Sequence, residues 1–185
     1  MELKEYEVVK SYNYYEFCNY LNRKYLKTKK ASLFKHHFYE INKAGLSNNS
    51  MQKYLEHEER NTIIYCDLLE HLYLHILIAE HNKHQPKLKL GYRGAIRLVR
   101  HLDNYYSKGI CKYKPIKYES CKDSRGVFLT LVERLNDCLW YYGEKPITIN
   151  RYYLAPKQQN KKGNSNKALL WLLLIIIEFI LMLIL

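Results

Sequence analysis

The chain is poor in the residues that turn and break a backbone, with 7 Gly and 4 Pro among 185 residues. An all-β fold needs many such turns, so that class is disfavoured. The five cysteines (Cys18, Cys66, Cys111, Cys121, Cys138) are odd in number and far apart. They give neither a zinc spacing nor a disulfide framework and read as reduced, buried thiols. Acidic side chains are scarce, 18 against 30 Lys and Arg, which leaves a net charge of +12. Such a balance suits RNA, DNA or anionic lipid as a partner without choosing among them. There is no Gly-x-Ser-x-Gly elbow and no Gly-rich phosphate loop, which argues against serine hydrolysis and nucleotide hydrolysis. The opening Met1-Glu-Leu-Lys-Glu-Tyr6 lacks the apolar core of a signal peptide.

What is abundant is tyrosine, with 19 copies. AT-rich codon usage is a sufficient account of it, and aromatic–basic surfaces that stack bases are the alternative. The other excess lies in residues 168–185, where 17 of 18 side chains are apolar and Glu178 is the exception. A helix of that length spans roughly 27 Å, close to one hydrocarbon core. Its Leu, Ile and Phe side chains favour insertion by about 6 kcal/mol, against a cost of about 3 kcal/mol for the acid. The expectation is a C-terminal transmembrane tail anchor. Lys157, Lys161, Lys162 and Lys167 precede it, so the positive-inside bias keeps residues 1–155 in the cytosol. Residues 156–167 form a Lys-rich linker. An acid inside a single span suggests association with further copies of that span, so Glu178 is placed in a membrane oligomer seam.

Helical spacing dominates the rest. Phe17, Tyr20, Leu21 and Tyr25 suggest a helix within 5–27, and Leu33, Phe34, His37, Phe38 and Ile41 a second one ended by Gly45. Residues 51–83 contain no Gly or Pro and carry a wide apolar face, which predicts one long helix. Ile96, Val99, Leu102 and Tyr106 predict a fourth helix stopped at Gly109, and Val127 to Leu139 a fifth ended by Gly143. Residues 110–123 read as a loop. The expected fold class is all-α, a bundle of about five helices plus the transmembrane helix.

Two constellations stand out. His71 and His75 are four apart on one helical face, a metal-ligand spacing, but no zincin-type Glu follows the first of them. Surface or core histidines are the expected account, with no metal and no cofactor. Arg97 and His101 are also four apart, and Arg93 joins them one turn earlier. A His able to move the ribose 2′-hydroxyl proton and an Arg able to stabilise phosphate charge are a minimal set for metal-independent RNA cleavage. Arg97 and His101 are therefore the candidate catalytic pair, with Arg93 and Arg100 as RNA, phosphate or interface contacts. A basic face that meets water or phosphate is the alternative.

A small basic helical bundle with an Arg…His pair on an inner helix resembles HEPN domains. With a membrane helix added, it resembles the membrane accessory proteins of type VI-B RNA-targeting CRISPR systems. The resemblance covers roughly residues 50–142 and the anchor. The HEPN motif has four to six residues between Arg and His, whereas Arg97 and His101 enclose three and Arg93 and His101 seven. The resemblance implies an antiviral accessory protein of the bacterial inner membrane, in a homo-oligomer and in contact with RNA or an RNA-guided effector complex. Two functions are open on it: a non-enzymatic effector that forms a membrane pore, or a membrane-tethered ribonuclease. A non-catalytic adaptor is a third.

Overall fold

A computed structural model describes residues 1–28, 30–43 and 62–149. Helices α1 (Leu3–Val9) and α2 (Tyr14–Lys24) come first. Strand β1 (Phe34–His37) follows, and then a 3-10 turn, Phe38–Ile41. Strand β2 (Ile63–Cys66) leads directly into α3 (Leu68–His81). Helices α4 (Tyr92–Lys108) and α5 (Arg125–Leu139) complete the series. These elements belong to one compact unit, Met1–Asn150.

The all-α expectation is corrected here. β1 and β2 form a two-stranded antiparallel sheet in the register Phe34↔Cys66, Lys35↔Tyr65, His36↔Ile64, His37↔Ile63. The second expected helix is therefore a strand followed by a 3-10 turn. The apolar positions of 33–41 satisfy a helical spacing, but β2 offers Ile63-Ile64-Tyr65-Cys66, a β-branched and aromatic run that pairs with them. The long helix expected over 51–83 is shortened for the same reason, and its described part starts only at Leu68. Asp67 sets that start. Its side chain accepts from Glu70 N (2.8 Å) while Glu70 Oε2 accepts from Asp67 N (2.6 Å), a reciprocal capping box. Asn13 and Glu16 form a second capping box, which divides the first expected helix into α1 and α2. The fourth and fifth helices lie where the spacing put them, ended by Gly109 and by a 3-10 turn up to Gly143.

The expected transmembrane helix has no counterpart among the described residues, none of whose helices is long and apolar enough to cross a membrane. Residues 168–185, with Glu178, lie outside the described residues, as do 51–61 and the linker 156–167.

Helix α3 is the axis of the core. Leu68, Leu69, Leu72, Tyr73, Leu74, Ile76, Ile78 and Ala79 are fully enclosed, as expected for a helix that is apolar on every side. It packs against α2, α4, α5 and both strands. Arg134 on α5 grips Glu80 on α3 through Nε–Oε1 (2.5 Å) and Nη2–Oε2 (2.8 Å), and donates to Lys10 O (2.7 Å) and Tyr73 Oη (3.0 Å). The α3–α4 crossing is closest at two glycines. A Cβ on Gly91, whose φ is +69°, would lie 2.4 Å from His75 O. One on Gly94 would meet the His75 ring itself.

Candidate metal centre and its cationic wall

The strand–strand–helix unit brings three histidines together. Phe34 and His36 share the face of β1 that packs on α3. Asp67 starts α3 immediately after β2, so His71 and His75 stand one turn apart on the side facing β1. The ring centroids are 5.3 Å apart for His36–His71, 5.2 Å for His36–His75 and 5.0 Å for His71–His75. One nitrogen from each ring lies within 4.8 Å of the others. Nitrogens in a tetrahedral site with bonds of about 2.1 Å are about 3.4 Å apart, so small side-chain rotations close the set on an ion.

The electrostatics favour neutral imidazoles. Burial pushes His36 well below its ordinary value, and the neighbouring His75 and His71 push the same way. His71 is lowered by burial, then by His75 and Lys117. Burial alone brings His75 down to about 4. Neutral rings keep a lone pair for a metal, which protonated rings do not. The Nδ1 atoms of all three are enclosed and have no hydrogen-bond partner. Buried polar atoms are nearly always satisfied, so unpartnered nitrogens on three rings this close together make the set a candidate for metal ligation.

Glu40, from the turn after β1, lies beside the set. Its Oε2 lies 3.4 Å from His36 Nδ1, and burial pushes its carboxyl up to about 7. His37 is also enclosed, with an unpartnered Nδ1. Burial, then Lys35, keeps it below its usual range. Three imidazoles with a carboxylate at hand suit zinc or a similar first-row divalent ion.

His71, His75 and Glu40 line a cavity of about 570 Å³. Its wall is cationic: Lys35 from β1, Lys89 from the α3–α4 connection, and Arg93 and Arg97 from α4. Lys89 pairs with Glu144 at 2.8 Å. Lys35, Arg93 and Arg97 form no ion pair with a described carboxylate. Arg93, Arg97 and Arg100 are all exposed and recur at i, i+4 and i+7 along α4, so a positive stripe continues outward from the cavity.

Arg97 and His101, the expected catalytic pair, stand one turn apart on α4 with different neighbours. Arg97 belongs to the cavity wall. His101 lies one turn further on, with Nε2 3.2 Å from Lys112 Nζ and its ring edge-on to Tyr113. Burial, then Lys112 and Arg97, lowers its basicity. Arg93 joins Arg97 at the cavity, and Arg100 extends the stripe. The His71/His75 pair gains a third histidine that spacing alone missed. His36 is 35 residues earlier in sequence, and the Asp67–Glu70 capping box with the β-branched run before it was the signal that could have revealed the strand pairing. Comparison with protein-family models, with curated proteins and with solved structures finds no match.

Proposed function

We propose that this protein is a metal-dependent phosphodiesterase acting on nucleic acid. The observation that carries the reading is the His36–His71–His75 set, with bare enclosed nitrogens, beside a cavity walled by Arg93 and Arg97. A divalent ion held there would polarise a phosphoryl oxygen and lower the pKa of a bound water. Arg93 and Arg97 would hold the phosphate and offset charge that builds on it. The attacking water must lose a proton as its oxygen bonds to phosphorus and the ester oxygen leaves. Glu40, which lines the cavity and lies 3.4 Å from His36 Nδ1, is the acceptor beside the set. A stripe that runs on through Arg100 suits a polymer of phosphates better than a single small ester.

The test is cleavage of end-labelled RNA and DNA oligonucleotides by the full-length protein, with EDTA and then with added Zn²⁺, Mn²⁺ or Mg²⁺. Cleavage should require metal and should vanish in His75→Ala. Cleavage in EDTA, or activity retained by that variant, would contradict the reading.

A second reading concerns delivery. The apolar run 168–185 with its single Glu178 supports a domain held at a membrane, in several copies, as an accessory or effector of antiviral defence, with pore formation as its non-enzymatic form. A potentiometric dye in cells under phage challenge separates the two. Depolarisation that survives His75→Ala supports the pore, and protection lost in that variant without any change of potential supports the nuclease.

A further inference from the structure

Tyr14 belongs to α2, outside the strand–strand–helix unit, yet it reaches the metal-ligand set. It is the first residue of α2, fixed by the Asn13–Glu16 capping box, and only 2 % of its surface is exposed. Its hydroxyl lies 2.8 Å from Phe38 O, 3.4 Å from His37 O and 3.0 Å from His36 Nε2. A phenol has one proton to give. Both short contacts of the hydroxyl are satisfied together only when Tyr14 donates to Phe38 O, which can only accept. His36 Nε2 must then carry the hydrogen and donate it to the Tyr14 oxygen. A neutral imidazole with its proton on Nε2 has its lone pair on Nδ1. That Nδ1 is the atom left enclosed and without a hydrogen bond, on the side where Glu40 lies 3.4 Å away.

We propose that Tyr14 is a positioning residue that fixes the Nε2–H tautomer of His36 and thereby makes Nδ1 its metal-binding atom. The inference rests on the metal-centre reading above and assigns α2 a part in it. The chain of bonds from Phe38 O through Tyr14 Oη to His36 Nε2 also fixes the plane of the ring, because a hydrogen bond to the distal nitrogen orients a ligating histidine. The T-shaped contact of the Tyr14 and His36 rings, with centroids 6.0 Å apart, adds a packing restraint in the same direction.

The experiment has two arms, both on detergent-extracted full-length protein. In the first, the metal-free protein is labelled with ¹⁵N-histidine, and His36 is assigned by its loss in His36→Gln. Long-range ¹H–¹⁵N spectra then report which ring nitrogen is protonated. The wild type should show Nε2–H at His36, and a wild-type His36 with Nδ1–H would overturn the proposal without reference to any variant or metal. In the second arm, Tyr14→Phe is titrated with Zn²⁺, and its Co²⁺ form is compared by visible absorption. Zn²⁺ affinity should fall about tenfold to a hundredfold, the Co²⁺ spectrum should shift, and metal-free His36 should show both tautomers. Wild-type affinity and spectrum in a folded Tyr14→Phe would overturn the proposal. Failure of the wild type to bind Zn²⁺ would count against the metal centre alone, since the first arm still decides the tautomer.

Discussion

Gly94 lies so close to His75 that a methyl at its Cα would sit 2.4 Å from both Cε1 and Nδ1 of the imidazole. Helix α4 therefore carries no side chain between its own backbone and a ligand of the proposed metal centre. That closeness brings Arg93 and Arg97, on either side of Gly94, to the cavity that His75 lines. A single packing relation sets both the ring and its cationic wall.

Gly94→Ala separates this role from helix propensity. In an open helix the change would stabilise by up to about 1 kcal/mol. Here the methyl meets a ring that is itself packed against His36 and His71, so the protein should lose about 1–3 kcal/mol. Thermal unfolding in EDTA measures the loss, and a Zn²⁺ titration should show weakened binding. A more stable variant with unchanged metal affinity would refute the close approach.

Acid should destabilise the metal-free protein through its histidines. The groups facing them are Tyr14 from α2, Glu40 from the turn after β1, Lys117 from the 110–124 segment, and Lys35, Lys89, Arg93 and Arg97 around the cavity. His75 titrates near 6.5 when unfolded and at about 4 when folded. The unfolded chain thus binds the extra proton between those values, so the stability is whole above pH 6.5 and lost as pH falls toward 4. The separation is worth about 3 kcal/mol. His36 and His71 are shifted the same way. Glu40 acts oppositely: its folded carboxyl keeps its proton up to about 7 against 4.5 when unfolded, so its share is whole below 4.5 and lost as pH rises through 7. Glu70, also raised to about 7 by burial, acts as Glu40 does, and the three imidazoles outweigh the two carboxyls. The unfolding midpoint in chelator should drop from pH 6.5 downward, and the drop should be shallower in His75→Gln.

Arg97→Ala and Arg93→Ala should weaken oligonucleotide binding for all sequences alike. Each should reduce the slope of log affinity against log salt by about one phosphate contact. Fluorescence anisotropy at several salt concentrations reads this directly. A sequence-dependent loss, or an unchanged slope, would remove these arginines from phosphate binding.

Arg134→Lys should destabilise the body by about 1–2 kcal/mol, because an ammonium cannot reproduce the fork on Glu80 or reach Lys10 O and Tyr73 Oη as well. Denaturant unfolding should show it, while Zn²⁺ affinity stays unchanged because the fork lies away from the three histidines.

The sequence carried the helical majority and much of the cationic wall. Helices α4 and α5 were legible because their apolar spacing is long and ends at glycines with positive φ, Gly109 and Gly143. Arg93 and Arg97 could be placed together because i and i+4 share a face whatever the tertiary fold, and both line the cavity. The strands were not legible, since four residues that satisfy period 2 also fit a helical pattern of similar length. Missing β1 meant missing His36, for a metal-ligand set drawn from two distant segments has no local spacing to betray it. His71 and His75 alone are an ordinary pair. Their meaning comes from a strand pairing that spans residues 34 to 66. Arg97 and His101 were placed on one face of α4 by their spacing, but of the two only Arg97 lines the cavity, whose wall on this side runs from Leu88 to Leu98.

The most direct test is the metal content of the protein. Full-length chain stripped with chelator and titrated with Zn²⁺ should take up one ion per chain. Co²⁺ should give the visible absorption of a nitrogen-rich tetrahedral site, and His36→Ala, His71→Ala and His75→Ala should each lose it. Wild-type protein that takes up no ion, or one whose uptake survives all three substitutions, would contradict the account at its centre.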